Sequence, residues 1–447
     1  MRLLIKLTPQ RVSRLLFLLI VFFLPQQFGP HFWPAFAFVD GIRLDYLSPT
    51  FYATDVLILL LSFFSLKPTL YSHATKKFLS HKFFIVFLIT ILIPLFYAKS
   101  PEAILLAYIK FAEFIFLGLY IVSQFKKKDL QLFFSVFCTS ACIEAFLGSL
   151  EFTMQRSVNG LWYFLGERYF TPVSIGQAVV DTGSGVLVRP YATFPHPNVF
   201  AFYLFTASVF STYVSHNSTH KLTRALFLIL FIFFQIILFL TLSRIVIFIN
   251  CVFLFYAYIF LPLKENRKKL RMWLALLVAS FFMLLLYTFY FSQRFFNFQL
   301  LSASIIPRAD LIFISLKILS QNIMFGVGLH NFYFHEAQFQ RTLSGSYLQP
   351  VHNIFLLIAT ETGIVGLLIF VYFTIFVFRK LMKANFNVQV FDLRVVFLIL
   401  FLASIIQGLF DHYFITTQQG LLLITFILSF SFSVQHFYKF PKVKNTA

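Results

Sequence analysis

The chain has 447 residues, of which 59% are hydrophobic, 20% aromatic and 12% charged, and its mean hydropathy is +0.83. Soluble domains carry roughly twice that share of charge, so a water-soluble enzyme is excluded and an all-α, polytopic membrane protein is expected. The net charge of +20 would suit a nucleic-acid binder, but the basic residues form short clusters between apolar runs, the pattern that sets membrane topology. No nucleic-acid partner is expected.

Apolar runs predict about twelve spans, near 15–36, 51–66, 83–98, 103–123, 131–152, 198–215, 225–242, 245–262, 272–291, 354–378, 395–413 and 419–437. With the N-terminus inside, the cytoplasmic segments hold 25 of the 36 basic residues and only Asp129, Glu265 and Asp392 of the 16 acids. Every inward loop then obeys the positive-inside rule, and both termini are expected in the cytoplasm. The first run is read as a retained helix rather than a signal peptide, although Ala35-Phe36-Ala37 resembles a cleavage site. The 68 phenylalanines are expected to be lipid-facing filler, and Cys138, Cys142 and Cys251, all inside apolar runs, small core residues. There is one transmembrane domain, 1–447, with no internal repeat.

Two outward loops are long, 153–197 and 292–353, the second lying before the tenth span. Long loops in a compact membrane protein are usually functional, so the chemistry is expected to face away from the cytoplasm. Topology does not require Arg189, Arg244 or Arg308. Arg244 lies in TLSRIVIF, a turn so tight that its cation sits at or just under the outer surface, where a charge needs a partner. Arg308, in IIPRADLIF, is expected on an interfacial helix. Converging guanidinium groups would clamp a lipid diphosphate; alternatively, each snorkels separately to headgroups.

His352 opens span ten, where a helix N-terminus favours a neutral, base-competent imidazole. It would accept a proton from an attacking sugar hydroxyl, or merely cap the helix with Asn353. Asn353 caps the helix or binds substrate. Glu361 lies nine residues, about 13 Å, further along and is expected to pair inside the bundle. Gly363 and Gly366, one turn apart, would allow close helix contact. His196 sits between two prolines on a rigid connection, His330 belongs to a turn, and Lys110 and Glu113 pair at i,i+3. Asp411 and His412 are further polar groups near the outer leaflet. No metal-ligand spacing, Walker loop, DxD-like motif or dinucleotide fingerprint is present, so no metal and no cofactor is expected.

His352-Asn353, nine residues, then Gly363-Ile-Val-Gly366 resembles the signature of the O-antigen ligase family and the related O-antigen polymerases. RPYATFPHPN (189–198), LSRI (242–245) and PRADLIF…NIMFGVGLHNF (307–332) resemble further segments of that family, in the same order, so the likeness covers residues 185–370. The resemblance implies a GT-C-type helical glycosyltransferase in the bacterial inner membrane. It would move a glycan from undecaprenyl diphosphate at the outer leaflet to a hydroxyl of a glycan, lipid or protein acceptor, by an inverting, metal-free reaction. In that scheme Arg189, Arg244 and Arg308 hold the diphosphate and His352 activates the acceptor, with Asn353, His196 and Glu361 in support. A surface-polysaccharide polymerase is the alternative within the family. A flippase is the alternative outside it, although a transporter should show internal repeats and broken helices near the midplane.

Overall fold

The computed structural model describes residues 8–79, 82–172, 174, 176–181, 186–260, 298–340, 348–382 and 391–437. It is mostly helical. Ten of its helices matter most for the site: α1 (Pro9–Phe22), α2 (Ala53–Leu70), α4 (Lys82–Leu92), α5 (Pro101–Gln124), α6 (Leu130–Met154), α8 (Pro197–Asn217), α9 (Lys221–Leu240), α10 (Arg244–Phe260), α11 (Phe298–Gln321) and α12 (Phe332–Gln340). Four more close the chain: α13 (Ile354–Met382), α14 (Leu393–Gly408), α15 (Tyr413–Thr416) and α16 (Gln418–Phe437). Short helices α3 (His73–Leu79) and α7 (Leu161–Phe164), two small antiparallel hairpins, β1–β2 (Phe38–Val39, Ile42–Arg43) and β3–β4 (Val179–Asp181, Val186–Val188), and four 3-10 turns (Ala35–Ala37, Asp45–Leu47, Ile93–Phe96 and Lys127–Asp129) make up the other elements of the described chain.

Six helices are long and apolar enough to cross a membrane, and four shorter apolar helices accompany them among the described residues. The chain is a multi-pass membrane protein. Ten of the twelve expected spans coincide with a helix, the first overlaps α1 only over 15–22, and the ninth, 272–291, lies outside the described residues. Two expectations need correcting. The first span ends at Phe22 rather than residue 36, because Pro25, Pro30 and Pro34 cannot continue a helix. The segment 292–353 is not simply a loop, since it contains the 24-residue α11 and the nine-residue α12.

Proline and polar caps set the helix starts. Thr8, Ser100 and His196 are N-caps with proline directly after them, where the missing N–H costs nothing. Asp392 caps α14 by accepting from the Arg394 and Val395 N–H groups at 2.9 and 3.2 Å. Helix α8 is buried on all sides, packed by α6, α9, α10, α14 and α16. The phenylalanines are not only lipid-facing. Phe133, Phe134, Phe137, Phe200, Phe205 and Phe397 are fully buried, and Phe133–Phe430 and Phe134–Phe210 ring pairs lie 4.7 and 4.5 Å apart. Flat rings packed against one another fill the space between helices that aliphatic chains would leave open.

Helix α13 is broken at Gly363, which has φ +71° and ψ −176°. The break frees the carbonyls of Thr360 and Glu361, and these accept from Val327 and Gly328 N–H at 2.9 and 2.8 Å. Ile364 N–H, which the break also frees, donates to the Ile323 carbonyl at 2.8 Å. The segment 322–331 thus repairs the interrupted ladder, the condition for irregular backbone inside a membrane protein. Gly363 and Gly366 were expected to serve helix–helix contact; Gly363 instead lets the backbone turn and lets Met324 approach where a Cβ would collide with its carbonyl.

Candidate functional site

Three separated segments meet at one end of the bundle. The loop before α8 carries Arg189, His196 and Asn198; the start of α13 carries His352 and Asn353; the turn between α14 and α15 carries Asp411 and His412. Buried carboxylates fix the first loop. Glu151 on α6 accepts from the Tyr191 and Ala192 N–H groups, both at 2.7 Å. Glu144, seven residues away on the same face, accepts from the Thr193 N–H and hydroxyl at 3.1 and 2.9 Å. Ala192 is held at φ +51° between them. Acids at that spacing in an apolar run are a signal that sequence reasoning passed over.

Asp411 is the hub. Its Oδ2 accepts from Asn198 Nδ2 at 2.8 Å, its Oδ1 accepts from the His412 backbone N–H at 2.9 Å, and Oδ1 lies 3.7 Å from His352 Nδ1. The last distance is longer than a hydrogen bond. The His352 and His412 rings are 5.1 Å apart, and His412 Nδ1 is 2.7 Å from Thr416 Oγ1. Tyr46 meets His412 edge-on and stacks on Tyr333. His196 Nδ1 accepts from the Asn198 N–H at 3.1 Å, so its neutral ring carries the proton on Nε2.

The electrostatics divide these groups. Burial lowers the His196 imidazole to about 3, with the Arg189 charge acting the same way and Asp411 against it. Burial likewise lowers His412 to about 3, and the charge of Arg308 contributes. Burial pushes the Asp411 carboxyl up, but the His352 contact and the surrounding imidazoles outweigh it and hold the group below its usual range. At neutral pH the site therefore presents neutral His196 and His412 rings beside the ionised Asp411 carboxylate.

The other expected residues are placed as follows. Arg189 is 5% exposed, donating from Nε to the Thr241 carbonyl at 2.6 Å and from Nη2 to Asn198 Oδ1 at 2.8 Å. Arg244 heads α10, three residues beyond Thr241, and is half-buried. Arg308 is exposed on α11, close enough to act on His412. Asn353 caps α13 by accepting from the Leu356 N–H at 2.9 Å, and its amide donates to the Leu409 carbonyl at 3.1 Å. Glu361 is not in the cluster. Its Oε1 accepts from the His330 N–H at 2.9 Å, so it anchors the segment that repairs the break in α13. His330 lies in that segment's turn, at φ +61°, as expected. Lys110 pairs with Glu113 at 3.6 Å, and also with Asp55 of α2, which sequence reasoning did not foresee.

Linear spacing offered no metal constellation, yet the fold brings ligand atoms of His352, Asp411 and His412 within 4.8 Å of one another. This trio could hold a cation, although both Asp411 oxygens already accept N–H groups. Below the cluster lies an apolar cavity of about 420 Å³ between α4, α5, α13 and α16. Tyr46 and Thr416, both in contact with His412, line it together with Phe87, Phe114, Phe355 and Leu428.

Residues 226–371, about a third of the chain, match the family model described as O-antigen ligase. Over that third the chain is similar to O-antigen ligases. The matched segment contains Arg244, Arg308, His352, Asn353 and Glu361; Arg189, His196, Asn198, Asp411 and His412 lie outside it and reach His352 or its neighbours through the fold. The match supports a glycosyltransferase activity of the O-antigen ligase kind and a lipid-linked glycan substrate. No curated protein matches the chain.

Proposed function

We propose that the protein transfers a glycan from undecaprenyl diphosphate to an acceptor hydroxyl at the outer face of the bacterial inner membrane. The observation that carries this reading is His352, inside the matched segment, with its Nδ1 turned to the ionised Asp411. A carboxylate facing Nδ1 favours the proton there and leaves Nε2 with the lone pair a general base needs. His352 takes the proton from the acceptor hydroxyl as its oxygen attacks the anomeric carbon, and the bond to the diphosphate breaks on the opposite face. One displacement inverts the configuration.

Arg244 and Arg308 meet the diphosphate and stabilise its charge as it leaves, with buried Arg189 behind them. The diphosphate is a good leaving group, so positioning and charge stabilisation suffice and no step is assigned to a metal. Asn353 keeps the helix start, and so His352, in place. The apolar cavity under the cluster is suited to the isoprenoid chain of the donor. The acceptor decides between a ligase, which uses a lipid or protein hydroxyl, and a polymerase, which uses another lipid-linked glycan.

The test is glycan transfer in membranes supplied with lipid-linked donor. His352→Ala and Arg244→Ala should abolish transfer with the amount of protein unchanged. Full transfer by both variants would overturn the assignment.

A further inference from the structure

Asn198 stands between a buried arginine and a buried aspartate. Its Oδ1 accepts from Arg189 Nη2 at 2.8 Å and its Nδ2 donates to Asp411 Oδ2 at 2.8 Å. Arg189 and Asp411 are each 5% exposed. The amide can lie only this way round, because the flipped form would set N–H against guanidinium and oxygen against carboxylate. We propose that Arg189, Asn198 and Asp411 form a positioning relay that aims His352 at the acceptor.

A direct Arg189–Asp411 pair would take up the carboxylate with a bidentate clamp. The amide in between gives Oδ2 one neutral donor and leaves Oδ1, which also accepts the His412 N–H, facing His352 Nδ1. Its own backbone N–H fixes His196 through Nδ1, so one residue sets both faces of the cluster. Arg189 is itself fixed by the Thr241 carbonyl, in the turn that leads to Arg244. Its side chain is thus spent on orienting the base rather than on gripping the donor. Asn198 and Asp411 act through His352 and are positioning residues. The inference rests on His352 as the base.

The test is steady-state transfer by purified protein at varied concentrations of lipid-linked donor. Asn198→Asp keeps an acceptor for Arg189 but sets a carboxylate oxygen, in place of the amide donor, against Asp411. It should lower kcat about 10- to 100-fold, the usual cost of losing an orienting partner, with the donor KM within about two-fold of wild type. Asn198→Asp combined with Asp411→Asn should cost no more than Asp411→Asn alone, because the two residues act in series. Arg189→Lys, which leaves Asn198 and Asp411 in place, should likewise lower kcat and spare KM, and it serves if Asn198→Asp melts early.

A wild-type kcat in Asn198→Asp, a loss carried by KM in either variant, or losses that multiply in the double variant would overturn the relay. His352→Ala separates the two claims. Transfer by His352→Ala removes the base assignment itself, whereas an inactive His352→Ala beside a normal Asn198→Asp removes the relay alone.

Discussion

His352 works, on this account, because of what its neighbours cannot do. His196 and His412 are driven neutral by burial, so their rings add no competing cations beside the base. That neutrality has a consequence for stability. His412 titrates near 6.5 in the unfolded chain and at about 3 in the fold, so the unfolded state binds the extra proton between those values. Its contribution is complete above pH 6.5 and is lost as pH falls toward 3. The melting temperature of wild type should therefore fall more steeply from pH 7 to pH 4 than that of His412→Gln, which carries no titrating ring. Parallel curves, followed by thermal unfolding in detergent, would show that His412 is not held neutral. At this scale the sequence displays His352, His196 and the arginines, since each is a polar residue that topology leaves unexplained. It hides the pairing of His352 with Asp411, because nothing local ties residue 352 to residue 411. Asn198 is hidden for another reason: an asparagine after a proline at a helix start reads as a cap and nothing more.

The elements around the site repeat one device, a buried carboxylate in a membrane helix that accepts backbone N–H groups from an irregular segment. Glu144 and Glu151 hold the loop before α8, and Glu361 holds the segment that repairs α13. Each satisfies donors that have no water to turn to. The sequence placed Glu361 in a pair inside the bundle but could not name the partner, a main-chain N–H, which carries no residue signature. The two glycines were legible as a close approach but not as a break, since Gly-x-x-Gly reads the same in a straight helix. Gly363→Ala places a side chain at φ +71° and against the Met324 carbonyl. It should destabilise the protein by roughly 1–3 kcal/mol, the cost of a strained backbone position, or more if the segment 322–331 is expelled. Denaturation of the variant beside wild type measures this, and an unchanged midpoint would mean that α13 can run unbroken.

For the whole molecule, hydropathy and charge placement were enough to read a helical, multi-pass protein, because lipid imposes length and composition on every span. They could not show that α8 is sheathed by other helices or that much of the phenylalanine lies in the interior, since lipid and protein interior are equally apolar. Nor could they show the cavity that descends from Tyr46 and Thr416 between α4, α5, α13 and α16. A broken helix is also what a transporter would have, so the fold leaves bond formation as the deciding property. The most direct measurement uses the purified protein in vesicles with undecaprenyl-diphosphate glycan, an acceptor and EDTA, and follows the glycan and the lipid together. The account predicts a new glycosidic bond of inverted configuration, one lipid diphosphate released per bond, and neither product from His352→Ala. Glycan that crosses the bilayer still joined to its lipid, or transfer that stops with EDTA and returns with a divalent metal, would contradict it.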